Sequence, residues 1–292
     1  MNFKKIELCD KDILTPFLKN TNELTCEISF VNLLLWQPLY NNCYYIEDGI
    51  LFLKSYDDNI ETYSLPFGDV KSGLEKIIKH CGKLPDIWAQ DGERFQQFYE
   101  LYKDKYDIFE SRNEFDYIYN SNDLINLAGK KYHSKRNHIS SFSKQFDWHY
   151  EDITAHNIEK VKKCAIDWYK QNSERMDDEL KTEMSGVSLM LDNIITLDIK
   201  GGAIVVDGNV VAFTLGSEIN NQIYNIHTEK ALPGYEAAYT VINREFAAKN
   251  CSNYTYINRE DDLGIEGLRK SKLSYKPQIL LPKYICTSKE NI

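Results

Sequence analysis

The chain has 292 residues, 42% of them hydrophobic, enough for two modest cores or one large one in an ordinary soluble globular protein. Its 35 basic and 44 acidic side chains give a net charge of −9, which excludes a surface built throughout to grip nucleic acid or anionic lipid and leaves room only for a local basic cleft. Seven scattered cysteines have neither metal-ligand pairing nor the density of a disulfide scaffold, so they read as reduced thiols in a cytosol.

The start, Met1-Asn2-Phe3-Lys4-Lys5, runs into polar residues, and the best apolar run, Ile28 to Trp36, is far short of the ~20 residues that span a bilayer. Neither secretion nor membrane insertion is expected. Next comes an Asp48-Gly49 turn between Tyr44-Tyr45-Ile46 and Ile50 to Leu53. Asp-Gly between alternating apolar runs is a strong hairpin signal, because a type I′ turn needs positive φ at both central positions. An extended stretch at Glu61 to Leu65, a helix near Asp69 to His80, a strand at Asp86 to Ala89 and a helix near Glu93 to Tyr102 follow.

From Ser121 the pattern turns helical, with Leu124, Leu127, Ala128, Tyr132, Ile139, Phe142 and Phe146 on one stripe, which predicts a linking helix over about 121–146. Lys135 falls on that stripe between Tyr132 and Ile139. A cation on the core-facing side either snorkels to the surface or points into a wet cleft, so Lys135, flanked by Lys131 and Arg136, is the best local candidate for an anion site. The helix Asn157 to Asn172 turns Ile158, Val161, Ala165, Trp168 and Tyr169 inward, and Cys164 reads there as a small hydrophobe. A charged loop, Ser173 to Glu183, is either plain solvated chain or a cover for a cleft.

After residue 200 the first order of elements repeats. An Asp207-Gly208 turn joins Ala203 to Val206 and Val210 to Phe213; a strand near Gln222 to Thr228, a helix near Tyr235 to Ala248, a strand at Tyr254 to Asn258 and a helix near Leu263 to Leu273 come after it. Two such halves predict a duplicated unit with a cleft between the copies, divided at residue 120 into 1–120 and 121–292. No long linker separates them, so the halves should pack together.

The chemistry-bearing candidates lie in the second half. His227 and Glu229, two apart on a strand, share a face in regular alternation and form either a base with its orienter or structural ion pairs. The Leu232-Pro233-Gly234 turn opens a helix at Tyr235, whose backbone N–H groups suit a phosphate or an oxyanion. Arg259 stands at a strand-to-helix junction where α/β sheets bind ligands; Asp261 or Asp262 would cap the next helix, and Asp261 is the third catalytic candidate beside His227 and Glu229. Arg269, Lys272 and Lys276 recur at helical spacing as a basic face, or complement the helix dipole. No metal site is expected: there is no HExxH, and His133 and His138 are five positions apart. A nucleophile elbow and a Walker loop are absent too.

Two segments, Leu127-Ala128-Gly129-Lys130-Lys131-Tyr132-His133-Ser134-Lys135-Arg136-Asn137-His138 and Tyr256-Ile257-Asn258-Arg259-Glu260-Asp261-Asp262-Leu263-Gly264-Ile265-Glu266-Gly267-Leu268-Arg269-Lys270-Ser271-Lys272-Leu273-Ser274-Tyr275, resemble a bacterial family grouped with the C-terminal soluble domain of phosphatidylglycerol lysyltransferases. The resemblance implies an α/β (α+β) chain of two tandem GNAT-like domains, each a mixed central sheet flanked by helices. It further implies an acyltransferase, its donor an aminoacyl-tRNA and its acceptor a lipid headgroup or another amine or hydroxyl. The Lys-x-Lys of the lipid-modifying synthases is similar to Lys270-Ser271-Lys272, whereas His227 and Lys230 stand where those enzymes carry Asp and Arg. Of the acetyl-CoA loop of this fold only Gly234 and Ala237 remain.

Taken together, these readings predict donor phosphate binding by Lys131, Lys135, Arg136, Gly234, Tyr235, Arg259, Lys270 and Lys272 in a basic cleft between the domains, with His227, Glu229 and Asp261 as catalytic groups. Charged tRNA and a small-molecule or lipid-headgroup acceptor are the expected partners, without DNA, in the cytoplasm or at the inner face of the membrane. An acetyl-CoA-dependent N-acetyltransferase, or a non-catalytic binding module on the same fold, is the alternative.

Overall fold

The computed structural model describes residues 1–57, 59–172 and 177–289. Both Asp-Gly turns are formed as the sequence requires, with φ of 51° and 74° at Asp48 and Gly49 and of 49° and 76° at Asp207 and Gly208. They join Cys43–Glu47 to Ile50–Asp57 and Lys200–Val206 to Asn209–Asn220. The helix Val70–Cys81 shows how local chemistry sets an element. Asp69 caps its start by accepting the Ser72 N–H at 2.7 Å, Val70, Leu74 and Ile77 bury one face, and Gly82, at φ 71°, ends it.

Two seven-stranded mixed sheets result. The first runs Lys4–Lys5, Cys43–Glu47, Ile50–Asp57, Ile60–Ser64, Ile87–Gln90, Lys283–Ser288, Tyr106–Glu110. The second runs Ile279–Leu281, Asp116–Asn120, Tyr256–Asn258, Ile223–Ala231, Asn209–Asn220, Lys200–Val206, Trp148–Asp152. In each, the equivalent inner strands, Ile60–Ser64 with Ile87–Gln90 and Ile223–Ala231 with Tyr256–Asn258, pair in parallel, so the repeat read from the sequence is a repeat of topology. The sheets do not divide at residue 120: Asp116–Asn120 belongs to the second, and the C-terminal strand Lys283–Ser288 is inserted in the first. One apolar core joins them, with Leu51, Leu53 and Phe67 of the first half packed among Ala203, Phe213, Leu215 and Ile219 of the second. The two halves are therefore fused through buried surface.

Two expected elements take another form. The linking helix is broken into Ser121–Asn126 and His133–Gln145, because Leu127 and Gly129 adopt φ of 46° and 81° and a left-handed residue ends a helix. Asn120 supplies the first cap. Of the charged loop, residues 173–176 lie outside the described residues, and the remainder is drawn into the helix Asp178–Asp192, which Asp177 caps through the Leu180 N–H. No helix among the described residues is long and apolar enough to cross a membrane.

Candidate active site at a strand opening in the second sheet

The parallel pairing of Ile223–Ala231 with Tyr256–Asn258 covers only Ile223↔Tyr256, Tyr224↔Ile257 and Asn225↔Asn258. Beyond Asn258 the chain turns off through Glu260 and Leu263, at φ of 56° and 50°, and a gap opens in the sheet. On its other side Ile223–Ala231 carries a bulge: Leu215 faces Thr228 and Gly216 faces Ile226, which leaves His227 as the extra residue. Gly216 allows it, since a Cβ there would stand 2.5 Å from the Asn225 carbonyl oxygen.

The bulge overturns the expectation that His227 and Glu229 act as a pair, since the extra residue breaks strict alternation. Glu229 turns to the helix Ala238–Asn250, accepting from Asn243 Nδ2 at 3.0 Å and from Arg259, whose Nε lies 3.1 Å away. His227 turns to Ser217 Oγ, 2.8 Å from its Nε2, and to Glu260 Oε1, 3.3 Å from its Nδ1. Asn225 Nδ2 donates to the same Glu260 oxygen at 2.7 Å.

Lys135, Arg259 and Glu229 build one end of the opening. Lys135 is only 8% exposed, as its place on the apolar stripe required, and its Nζ sits 3.6 Å from the centroid of the Tyr275 ring. Arg259 lies over the same ring at 4.7 Å. No carboxylate pairs with Lys135 among the described residues, and Nη1 of Arg259 is buried without a hydrogen-bond partner. Two cations thus face one carboxylate. Burial and the neighbouring Arg259 push the Lys135 ammonium down to about 8, against the pull of Glu229.

Asp261 is half-buried past the turn at Glu260, its carboxyl pushed up to about 7 because desolvation outweighs the attraction of Lys283 and Lys272. The next wall is Lys230, which bonds to Glu183 Oε1 at 2.7 Å and lies 4.1 Å from the Trp168 ring centroid.

Several predicted site residues lie elsewhere. Lys131 is exposed and paired with Asp123 at 2.7 Å. Arg136 donates to the carbonyls of Leu127 and Gly129, stitching the helix break, and Lys270 is exposed. Lys272 does lie beside Arg259, but its ammonium is consumed by the main-chain oxygens of Arg259, at 2.5 Å, and Asp261. Arg269 is held by Asp262, at 2.8 Å from Nε, so the basic face expected on the helix Glu266–Leu273 is dismantled by local pairing.

At the other helix start Gly234, at φ 87°, turns its N–H onto its own chain's Glu236 carboxylate at 3.0 Å. Tyr235 packs on Phe146 instead of beginning the helix, which starts at Ala238. The N–H groups of Ala238 and Thr240 are taken by the carbonyls of Tyr235 and Ala237, at 2.8 and 3.0 Å. The expected phosphate or oxyanion cradle is therefore filled by the chain's own acceptors.

The cleft between the two sheets is a different place from the basic cluster. It holds a cavity of about 760 Å³ lined by Phe17, Glu23, Phe67, Glu93, Arg94 and Ile279, among others. Arg94 is locked on Glu23, so Asp91 and Glu93 leave this cavity acidic. The cations predicted to line an inter-domain cleft all come from the second sheet and its helices. Sequence reasoning missed Ser217 and Asn243 altogether and gave Tyr275 no role; Ser217 was out of reach because the strand that carries it runs to Asn220, well past the predicted end at Phe213. No group of three or more His, Cys, Asp and Glu side chains among the described residues could hold a metal ion.

Two lobes, each a mixed sheet with parallel inner strands flanked by helices, make a tandem GNAT-like fold, the fold of an acyltransferase. The chain belongs to the family described as phosphatidylglycerol lysyltransferase, C-terminal, whose profile matches residues 19–287. It is similar to a conserved protein of unknown function from Bacteroides thetaiotaomicron VPI-5482, with 35% identity over 99% of this chain and 100% of the other and a TM-score of 0.92. L-PGS from Bacillus licheniformis shares the fold at 17% identity, over 96% of this chain and 92% of the other, with a TM-score of 0.63. A relative from Mycoplasmoides gallisepticum, the uncharacterized protein MYCGA3080, is 26% identical over 199 residues, 64% of this chain and 60% of that protein. The chain thus spans 60% of the length of that curated relative.

Proposed function

We propose that the chain transfers an aminoacyl group from a charged tRNA to an amine or hydroxyl acceptor, with the opening between Ile223–Ala231 and Tyr256–Asn258 as the reaction centre. The observation that carries this reading is Lys135: a buried ammonium stacked on Tyr275, without a carboxylate of its own, beside an Arg259 that keeps one N–H group unsatisfied. Buried cations in excess of their counter-charges suit a phosphate of the donor, where charge-assisted hydrogen bonds are strong. Glu229 and Asn243 hold the Arg259 fork in place. His227, with Glu260 on one ring nitrogen, is the proton carrier of the opening.

The filled helix start at Gly234 to Thr240 supports a donor other than acetyl-CoA, because the backbone N–H groups that would receive a pyrophosphate are already bonded. The family to which the chain belongs also supports an aminoacyl donor. Thermal-shift titration tests the reading: charged tRNA should stabilise the wild-type chain and do so much less in Lys135→Met, since a ligand that binds only the folded state raises its stability. Stabilisation by acetyl-CoA with none by charged tRNA overturns it.

A further inference from the structure

The cavity between the two sheets lies apart from the basic cluster, and its walls have a chemistry of their own. Pro16, Phe17 and Leu24 of the N-terminal segment, Phe67 beside the first sheet, and Ile279 and Leu281 of the second give it an apolar lining. A concave space of about 760 Å³ with such walls has the size that holds a small organic molecule, which a few polar groups then orient. The lining is also fixed before any ligand arrives. Its segment from Thr21 to Leu24 is tied to the second sheet by Asn220 Nδ2, which donates to the Glu23 carbonyl at 2.8 Å, and by Asn258 Nδ2, which donates to the Leu24 carbonyl at 2.9 Å.

The polar floor of the cavity is already paired. Arg94 donates from Nε to Glu23 Oε1 at 2.8 Å, from Nη1 to the Leu65 carbonyl at 2.6 Å and from Nη2 to Glu23 Oε2, which also accepts from Gln90 at 2.8 Å. The guanidinium lies 3.8 Å from the centroid of the Phe67 ring as well. Cation and carboxylate cancel, with side chains 8% and 4% exposed, so Arg94 offers no charge to an anion in the cavity.

Two carboxylates are left over. Asp91 and Glu93 stand on either side of Gly92 at the start of the helix Glu93–Tyr102. Asp91 accepts from Gln96 at 3.4 Å, and neither residue forms an ion pair among the described residues. That helix start has no side-chain cap, and the positive end of a helix is equivalent to about half an elementary charge. Two full negative charges outweigh it, and the rim of the cavity is negative.

We infer that this cavity is a binding site for an organic cation, its ammonium held by Asp91 and Glu93 and its apolar body seated between the two sheets. The inference stands apart from the acyl-transfer reading, since these carboxylates lie outside the strand opening.

Three molecules of similar shape and different charge test it by isothermal titration of the full chain: tryptamine, its neutral analogue tryptophol and the anion indole-3-acetate. Tryptamine should bind at least tenfold more tightly than tryptophol, and indole-3-acetate should not bind. Asp91→Asn combined with Glu93→Gln should lower the affinity for tryptamine to that for tryptophol, in a protein that melts within a few degrees of wild type. Tryptophol or indole-3-acetate binding as tightly as tryptamine, no binding by any of the three, or a preference for tryptamine that survives the double substitution overturns the inference.

Discussion

Lys283 Nζ lies 2.9 Å from Asp116 Oδ1 with neither side chain exposed, and the two residues come from the strands that cross a division at residue 120: Asp116 in the second sheet, Lys283 in the first. Asp116 also receives the Cys26 N–H at 2.8 Å and Asn258 Nδ2 at 2.9 Å. One buried carboxylate thus fastens the N-terminal segment, both sheets and the residue next to Arg259. Lys283→Met should therefore cost about 3–5 kcal/mol in chemical unfolding, because it strands a buried charge. The pH dependence follows from the shifts. Asp116 is held below the usual carboxylate range by Lys283 in spite of its burial, so its share of stability is present above about pH 4 and lost as pH falls through its lowered value. Lys283 is held high, so its share is present below about pH 10 and lost only as pH rises through its raised value.

Lys272 shows the same logic at smaller scale. Its ammonium binds two main-chain oxygens and no carboxylate, so Lys272→Ala should lower unfolding free energy by about 1.5–3 kcal/mol for each charge-assisted bond lost. A merely donor-binding lysine would leave the melting temperature unchanged, and calorimetry separates the two.

Lys135 should make donor affinity pH-dependent in the physiological range. Its ammonium loses its proton near 8, so affinity for a phosphate probe such as adenosine monophosphate should fall as pH rises from 7 to 9, and Lys135→Met should remove that slope. A Lys buried as a cation also penalises the folded state below about 8. Stability from this group therefore rises with pH between about 8 and the unfolded value near 10.4, which pH-dependent melts of wild type against Lys135→Met would show.

Gly216→Ala tests the bulge. The added Cβ would meet the Asn225 carbonyl oxygen at 2.5 Å, and backbone cannot yield cheaply, so a loss of about 1–3 kcal/mol is expected. The bonds from His227 to Ser217 and Glu260 should loosen with it, and a displaced imidazole resonance in NMR spectra checks this.

What the sequence reveals of this molecule is what is local to it. The Asp48-Gly49 and Asp207-Gly208 hairpins need only two residues' φ, and Lys135 was found because helical periodicity predicts which side faces inward even when a cation sits there. The fate of Lys272 depends on carbonyls made free by a turn at Glu260, and that of Arg269 on Asp262, which no spacing on their own helix reveals. The bulge at His227 is a property of register between two strands, so alternation along one of them placed His227 and Glu229 together wrongly and hid Ser217. Strand exchange at Asp116 and Lys283 is a contact between positions far apart in the chain, again invisible to patterns read within a window.

If the opening around Arg259 receives the anionic part of an aminoacyl donor, transfer should depend on that guanidinium. The most direct measurement is transfer of radiolabelled amino acid from charged tRNA into an extractable product by wild type and by Arg259→Met paired with Glu229→Leu, a double variant that removes the buried pair together. Wild type should transfer, and both transfer and donor binding should be lost in a double variant that still melts cooperatively. Equal transfer by the two proteins would contradict it.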